Sequence, residues 1–472
     1  MLAFLASELG LHHLRDSHSS YDVVLLLLSR FVRLAGFGAV APVLILYLRS
    51  LGIPDRLVGL FLSATLLGDV LLSLAVTWTA DHLGRRKMLA VGSALMGGAG
   101  LVFYFSSSYV LLLLAAVVGV ISPSGNEVGP FAAVEQGMLS QLTLPEGRVS
   151  LLMWYQVLGF VGISVGNLLA GGIVSYLERT GKSTAEAYKG VFLAYVFVAA
   201  LKIVLSLLMT KHTEVDHPPT TEPAAASAIQ TDSERQPLLQ DNGHSAPAAA
   251  EAILDPPSVP APPGLPVARL VALAAIFSLD SFASSLIPLS FISYYFQTDF
   301  AAPVSVITRT FSITSIISCL SQLAAGSISK RMGIIGTMVG THMPAQLLTM
   351  ALAFAPDLAG AITIFAARAT IASMDSSVRG EFALLRPAPS TTRSYPLVTG
   401  AFLAAVVPKS SRTRFLGIIN VCKTLASAPG PSLSGQLASL GGLRWSFVIT
   451  GCIKLVYDIC LWIGFKEFAL EH

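Results

Sequence analysis

The chain has 472 residues, of which 53% are hydrophobic and 12% charged, and its net charge is +3. Soluble domains average roughly 25% charged residues, so this composition excludes an ordinary soluble protein and indicates a surface that faces a bilayer. The small net charge excludes the basic stripe of a nucleic-acid-binding protein. All four cysteines lie in apolar runs, which favours buried thiols over disulfides or a metal site, and we expect no cofactor.

Twelve segments are apolar enough to cross a membrane as helices, since a span needs about 20 mostly apolar residues. The predicted spans are 23–48, 57–79, 87–105, 109–141, 149–175, 190–210, 267–296, 303–326, 334–354, 358–384, 413–440 and 443–465. They predict an all-α polytopic membrane protein with two six-helix halves, 23–210 and 267–465.

Three further segments are predicted to lie in the cytosol. They are an N-terminal tail (1–22), a C-terminal tail (466–472) and a linker (211–266) rich in Pro, Ala, Ser and Thr, which cannot bury enough apolar surface to fold. Three loops rich in Lys and Arg fall on the same side, and the positive-inside rule makes that side cytosolic. The loop between spans five and six, with Arg179 and Lys182, goes against the rule.

The two halves are related to each other in sequence. Adding 264 to the residue number takes the fifth span onto its counterpart and aligns Gly166 with Gly430. Adding 246 does the same for the first span and aligns Pro42 with Pro288, and adding 249 relates the second span to its counterpart. Such a six-plus-six repeat is typical of secondary transporters, whose substrate site lies between the halves near the midplane.

The loop between spans two and three has the features of a conformational switch. Its residues are Asp81, Gly84, Arg85 and Arg86. Gly84 permits a tight turn, and Asp81 can pair with a neighbouring basic group in one conformation and release it in another. An anchor loop that only obeys the positive-inside rule is the alternative interpretation.

This loop resembles the signature Gly-x-x-x-Asp-Arg-x-Gly-Arg-Arg of the major facilitator superfamily (MFS), with Thr77 in place of the first Gly and His82 in place of the first Arg. The second half has a degenerate copy that includes Lys330, Arg331 and Gly333. The resemblance covers nearly the whole chain. It implies the MFS fold of 12 transmembrane helices and transport by alternating access.

Two motifs of the family's drug/proton antiporters are incomplete here. The Arg of the span-four motif is missing, and Asn167 replaces the Pro of the span-five motif. We therefore interpret the span-five glycines as sites of close helix packing: Gly162, Gly166, Gly171 and Gly172.

Ionisable side chains inside membrane spans are costly and are functional candidates by default. We assign these to the substrate or proton pathway: Arg33, Asp69, Glu127, Glu135, Asp280, Asp375 and Arg379. Glu135 and Arg379 fall at equivalent repeat positions with opposite charge, so they can pair, or each can meet a solute or proton. A helix contact remains the alternative for Asp69, and snorkelling towards headgroups for Arg30 and Lys202.

Span four is interrupted by "SPSGNEVGPF", in which Pro123 and Pro130 enclose two glycines. The backbone groups that such a break frees must face a cavity or other protein, so this segment points to the pathway. A kink needed only for packing is the alternative.

In the linker, Glu234 precedes Leu238 and Leu239 by the spacing of an acidic dileucine sorting signal. A cytosolic sorting adaptor is thus a candidate partner, and a vacuolar or endosomal membrane is an alternative to the plasma membrane. Short motifs of this kind also arise by chance.

Residues 380–399 break the apolar run of span ten with prolines and arginines. If these residues were removed, a single offset in residue number would align the two halves continuously, from Glu135 with Arg379 to Gly171 with Gly435. Codons for Gly-Glu-Phe and Thr-Gly can contain splice-donor and acceptor sequences at the two ends. We hypothesise a translated intron, with a genuine extended cytosolic loop as the alternative.

Together these patterns predict a transporter that moves a small solute by alternating access. Proton coupling is expected because carboxylates in apolar surroundings can have raised pKa values. We expect a monomer in the lipid bilayer, with both termini cytosolic and no enzymatic activity. A non-transporting sensor or scaffold on the same fold is the alternative function.

Overall fold

The structure is a computed structural model that describes residues 19–119, 121, 130–143, 148–214, 267–332, 334–381 and 421–465. Its helices are α1 (Ser20–Val40), α2 (Leu44–Ser50), α3 (Asp55–Leu83), α4 (Arg85–Phe105), α5 (Tyr109–Val118), α6 (Pro130–Leu142), α7 (Arg148–Arg179), α8 (Thr184–Leu208), α9 (Val267–Leu286), α10 (Leu289–Phe300), α11 (Val304–Met332), α12 (Ile334–Leu352), α13 (Leu358–Glu381), α14 (Pro429–Ser439) and α15 (Trp445–Phe465).

These helices follow the predicted spans, and the all-α prediction is confirmed. Among the described residues, seven helical stretches are long and apolar enough to cross a membrane. α1 with α2 and α9 with α10 each make one interrupted span. Residues 122–129 lie outside the described part of the chain, and so do the predicted break in span four and the candidate Glu127.

Equivalent prolines interrupt the first span of each half. α1 ends just before Pro42, and α10 begins just after Pro288. Proline lacks a backbone N–H and its ring clashes with the preceding helical turn, so a helix breaks there. The Pro42 carbonyl accepts a hydrogen bond from the Ser293 hydroxyl of the other half at 2.6 Å. The break in one half is therefore stabilised by a side chain of the other.

Both halves belong to one compact unit, which has two ends. We call the end that carries Gly84 the signature end and the opposite one the far end. An apolar core joins the halves near the far end, where the Tyr47 ring packs against Phe192 in one half and the Tyr295 ring against Phe447 in the other. A second cluster fills the signature end of the N-terminal half.

Close helix packing at the span-five glycines is confirmed at Gly162 and Gly166. A Cβ atom at either position would overlap the α1 backbone, at Phe31 and Ala35 respectively. Gly172 has no heavy atom within 4 Å of its Cβ position, so it does not serve this purpose. Close approach of α1 and α7 therefore depends on two of the four glycines.

Equivalent backbone positions bring the two halves together at the far end. Gly59 of α3 lies against Gly435 of α14, and Gly171 of α7 lies against Thr308 of α11. The offset of 249 that relates spans two and eight takes Gly59 to Thr308, and the offset of 264 takes Gly171 to Gly435. The repeat predicted from sequence is therefore present in the packing.

Equivalent serines bond across the same interface. Ser63 and Ser432 hydroxyls lie 2.8 Å apart, and Ser164 and Ser312 hydroxyls lie 2.6 Å apart. The offset of 249 takes Ser63 to Ser312. Each of these two serines lies eight residues from the far-end start of its helix, so the contact reaches about 12 Å into the protein at a rise of 1.5 Å per residue.

Polar contacts at the rim complete this interface. Tyr294 donates a hydrogen bond to the Asp55 carboxylate at 2.9 Å, and the Arg49 guanidinium lies 3.1 Å from the same carboxylate. Gln297 donates to the Tyr188 hydroxyl at 3.4 Å. The hydrogen bonds seen between described residues of the two halves lie near the far end, so this is the conformation in which that end is closed.

Candidate functional site

A buried cluster of charged side chains lies inside the N-terminal half. At its centre is Glu135 of α6, whose side chain is fully buried. The Arg33 guanidinium of α1 lies 3.1 Å from Oε2 and the Lys202 ammonium of α8 lies 2.9 Å from Oε1. The Tyr155 hydroxyl of α7 donates to Oε2 at 2.7 Å. Four helices thus converge on one carboxylate.

A third basic group borders the same cluster. The Arg30 guanidinium lies over the Tyr155 ring, 4.4 Å from its centroid, and donates to the Gln156 amide oxygen at 3.0 Å. Arg30 and Lys202 are 1% and 0% exposed, so neither snorkels to a headgroup. Ser29 bridges the cluster, donating to Glu135 at 3.3 Å and accepting from Lys202 at 3.1 Å.

The cluster carries more positive than negative charge among the described residues. Arg30, Arg33 and Lys202 face the single carboxylate of Glu135. Asp69 of α3 is also buried, and Tyr195 lies within electrostatic range of both Asp69 and Arg33. Buried charges are stable only when paired and hydrogen-bonded, which accounts for the dense network around Glu135.

Arg33 is the accessible member of this cluster. Its side chain is 11% exposed, whereas those of Glu135 and Lys202 are 0% exposed. Arg33 lies thirteen residues into α1, about 20 Å from the signature end, and Glu135 lies seven residues, about 10 Å, from the end of α6. The cluster is therefore nearer the signature end than the closed far end.

The C-terminal half has its own buried ion pair and a buried histidine–carboxylate contact. The Lys454 ammonium lies 3.1 Å from the Asp280 carboxylate, and Nδ1 of His342 lies 2.7 Å from Oδ1 of Asp458. Lys454 and Asp458 are four residues apart on α15, so they lie on one face of the helix. Asp280 thus has a cationic partner that the sequence analysis did not single out.

The signature turn holds a carboxylate from the end of the N-terminal half. Gly84 has a φ of +91°, and the backbone N–H groups of Arg85 and Arg86 donate to Glu214 at 2.6 and 3.3 Å. A Cβ at position 84 would lie 3.2 Å from the Glu214 oxygens. An anion at a helix N-terminus satisfies free N–H groups and complements the helix dipole. Glycine at position 84 therefore serves both the positive φ of the turn and the close approach of the Glu214 carboxylate.

Side chains extend this contact across the signature end. Gln141 accepts from the Arg85 guanidinium at 2.9 Å and donates to the Glu214 carbonyl at 2.8 Å. Asp22, in the first turn of α1, accepts hydrogen bonds from the backbone N–H and the hydroxyl of Thr210. The described N-terminal half therefore extends four residues into the segment predicted as linker.

The structure brings together Arg33 and Glu135 among the predicted pathway residues, and it buries Asp69 and Asp280 elsewhere. Asp81, Lys330, Arg331, Asp375 and Arg379 lie on described helices, but their side chains are outside the described part. Gly333, the 380–399 insertion apart from its first two residues, and the sorting residues Glu234, Leu238 and Leu239 also lie outside it.

Sequence reasoning missed five partners: Tyr155, Glu214, His342, Lys454 and Asp458. Lys454 and Asp458 had a usable signal, since two opposite charges one helical turn apart in an apolar span are costly unless they face protein. Tyr155 had none, because a tyrosine in a span is an ordinary residue.

Comparison with known sequences finds extended similarity. The Major Facilitator Superfamily profile matches residues 26–385. An uncharacterized membrane protein of Saccharomyces cerevisiae, YJR124C, is 29% identical over 456 residues, covering 94% of this chain and 95% of the relative. The quinolone resistance protein NorA of Staphylococcus aureus is 21% identical over 183 residues, covering 39% of this chain and 45% of NorA.

Comparison with solved structures finds the same fold at low sequence identity. A bacterial homologue of the human lysosomal transporter Spinster, inward-facing and occupied, superposes with a TM-score of 0.65 at 13% identity, covering 95% of this chain and 97% of that one. A D-xylose-proton symporter superposes with a TM-score of 0.61 at 14% identity, covering 93% and 96%. From the profile match and this shared fold, the chain belongs to the Major Facilitator Superfamily and is a membrane transporter, not an enzyme.

Proposed function

We propose that the protein carries a small polar or charged solute by alternating access. The far-end interface carries this proposal. It is built from small residues at Gly59, Gly435 and Gly171, with serine pairs beside them. Surfaces of this kind meet without interlocking large side chains, so they can separate while each half stays folded.

We further propose that protons are the coupling ion. Each half buries a carboxylate against a lysine, Glu135 with Lys202 and Asp280 with Lys454. A proton on either carboxylate would cancel its charge and release the lysine to another partner. A D-xylose-proton symporter among the similar structures supports this coupling by analogy.

The proposed membrane is the plasma membrane or a vacuolar or endosomal membrane, with both termini in the cytosol. The Lys- and Arg-rich loops support this orientation. The signature end would then face the cytosol, and the closed far end would face the outside or the lumen.

A reversible lock tests alternating access. Ser63 and Ser432 become cysteines in a background that lacks the four native cysteines, and solute flux is measured in reconstituted vesicles across a solute panel, with and without a pH gradient. The hydroxyl contact of 2.8 Å places the two engineered thiols within reach of each other. Oxidation should abolish flux and reduction should restore it, while each single-cysteine variant should be insensitive to both.

Two results would contradict the proposal. Full flux through the oxidised, crosslinked protein would show that the far end need not open. Absence of flux for every solute in the panel, with folded protein, would favour the sensor or scaffold function. Flux that does not depend on the pH gradient would refute proton coupling but would not contradict alternating access.

A further inference from the structure

We propose that the transported solute is a small organic anion that binds to Arg33 and Lys202, and that Glu135 occupies this anion site when it is empty. The inference rests on the proposed transport function and specifies its substrate class. It identifies the ligand by charge and by donor geometry.

The donor set around Glu135 is one that would suit any carboxylate. One oxygen receives Lys202 and Ser29, at 2.9 and 3.3 Å, and the other receives Arg33 and Tyr155, at 3.1 and 2.7 Å. A guanidinium, an ammonium and two hydroxyls are the groups that bind carboxylates and phosphates with charge-assisted hydrogen bonds. These donors therefore form an anion-binding site, and the Glu135 side chain occupies it.

The groups that face Glu135 from each packed helix set the charge balance. They are Ser29, Arg30 and Arg33 of α1, Tyr155 of α7 and Lys202 of α8, with Asp69 of α3 beyond Tyr195. Among these described groups, positive charge exceeds negative charge when Glu135 is ionised. They favour a second anion at the cluster, because opposite charges interact strongly in a low-dielectric interior.

Access is through Arg33. It is partly exposed, whereas its partner Glu135 is not, so an entering solute meets the guanidinium first. An entering carboxylate can then exchange with the Glu135 carboxylate on Arg33 and Lys202. The hydroxyl of Tyr155 serves either anion without a change of charge.

Proton binding at Glu135 would favour this exchange. A proton on the carboxylate adds one positive charge, and an anion of single charge on Arg33 and Lys202 adds one negative charge, so the charge of the cluster is unchanged. The proton and the anion together therefore avoid the cost of adding a net charge to the buried site. The predicted coupling is symport of the anion with a proton.

Ligand-dependent thermal stability of the purified full-length protein tests the site. The probes are lactate and methanesulfonate, which keep a single negative charge throughout, glucose as a neutral solute and putrescine as a cation, each titrated between pH 5 and 7.5. Lactate or methanesulfonate should stabilise the wild type, and more strongly at low pH. Glucose and putrescine should leave the unfolding temperature unchanged.

Matched variants separate a binding role from a structural one. Glu135→Gln mimics the protonated carboxylate. This variant should bind the anion about tenfold more tightly, because a charged carboxylate no longer competes with the anion for Arg33 and Lys202. Its anion binding should also lose the pH dependence. Arg33→Gln should weaken anion binding about tenfold or more by the same reasoning. Arg179→Gln makes the same substitution at an exposed arginine, at the end of α7, and should change neither.

The gain at Glu135→Gln keeps the proposal testable if Arg33→Gln fails to fold. A purely structural ion pair predicts loss of stability in both variants with no selective rescue by anions. That outcome overturns the inference, as does stabilisation by glucose or putrescine alone. Flux of a neutral or cationic solute would leave the transport function intact and refute only the anion site, whereas absence of all flux would refute the transport function itself.

Discussion

Replacing Gly59 by alanine should wedge the two halves apart at the far end. The new Cβ would lie 2.6 Å from the Pro431 carbonyl oxygen and 2.9 Å from the Gly435 Cα. Ordinary carbon–oxygen contacts are 3.3–3.6 Å, so the neighbouring helix must retreat by about 0.7 Å. Both clashing atoms belong to the backbone, so no side-chain rotation can relieve the overlap.

The size of the effect follows from packing energetics. Inserting a methyl group into a close-packed contact costs about 1–3 kcal/mol. The gain in helix propensity from Gly to Ala, about 1 kcal/mol, applies to both conformations and cancels between them. The overlap exists only when the far end is closed, so the equilibrium should move towards opening by about 5- to 150-fold.

Thiol accessibility measures this shift. Ser432 becomes the single cysteine of the chain, and a membrane-impermeant maleimide is added from the far side of the membrane. Labelling should be at least about fivefold faster with Gly59→Ala than without it. Gly172→Ala is the matched control, because no heavy atom lies within 4 Å of its Cβ position. Equal labelling rates in the two variants would refute the wedge and the view that this interface is the gate.

Three other predictions concern the remaining features. Asp280→Asn should destabilise the protein by about 3–5 kcal/mol in thermal unfolding, because removing one member of a buried ion pair is strongly unfavourable. Adding Lys454→Met should recover most of this loss of stability, and no recovery would show that the broken pair is not its cause. Alanine at Leu238 and Leu239 should move the protein towards the cell surface in fluorescence microscopy, and an unchanged distribution would remove the sorting signal. Mature transcripts should lack the codons for residues 380–399, and retention of these codons in most messages would refute the intron hypothesis.

Span positions could be predicted because their cause is local: a bilayer fixes the length of an apolar helix. The helix breaks could not, since the first span of each half breaks near Pro42 and Pro288 whereas α12 continues through Pro344. The repeat register added a long-range prediction. It aligned positions that the structure places in two related contacts at the far end.

The partners of the charged residues could not be predicted in the same way. Arg33 and Glu135 were candidates because intramembrane charge is costly, but their convergence with Lys202 depends on how α8 is rotated about its axis. That helix is apolar on nearly all sides, so its sequence does not show which face meets α1 and α6. The alternative of snorkelling for Lys202 was excluded only by its complete burial.

Glu214 was missed for a different reason. It follows the last apolar residue of the first half and precedes a segment whose composition predicts a linker. Its role depends on N–H groups of Arg85 and Arg86, more than a hundred residues earlier in the chain. Composition cannot indicate a single residue that acts as a distant helix cap.

The paired contacts at the far end have the pattern of an isologous dimer, in which one patch meets its own copy across a two-fold axis. Two identical six-helix chains would make both contacts alike. In the single chain they have diverged: Gly435 meets a glycine backbone at Gly59, whereas Gly171 meets the hydroxyl of Thr308. The Thr308 hydroxyl can rotate away from its neighbour, whereas the Gly59 backbone cannot. The contact at Gly435 is therefore stiffer than the equivalent contact at Gly171, and we expect substitutions at these two equivalent positions to be tolerated unequally.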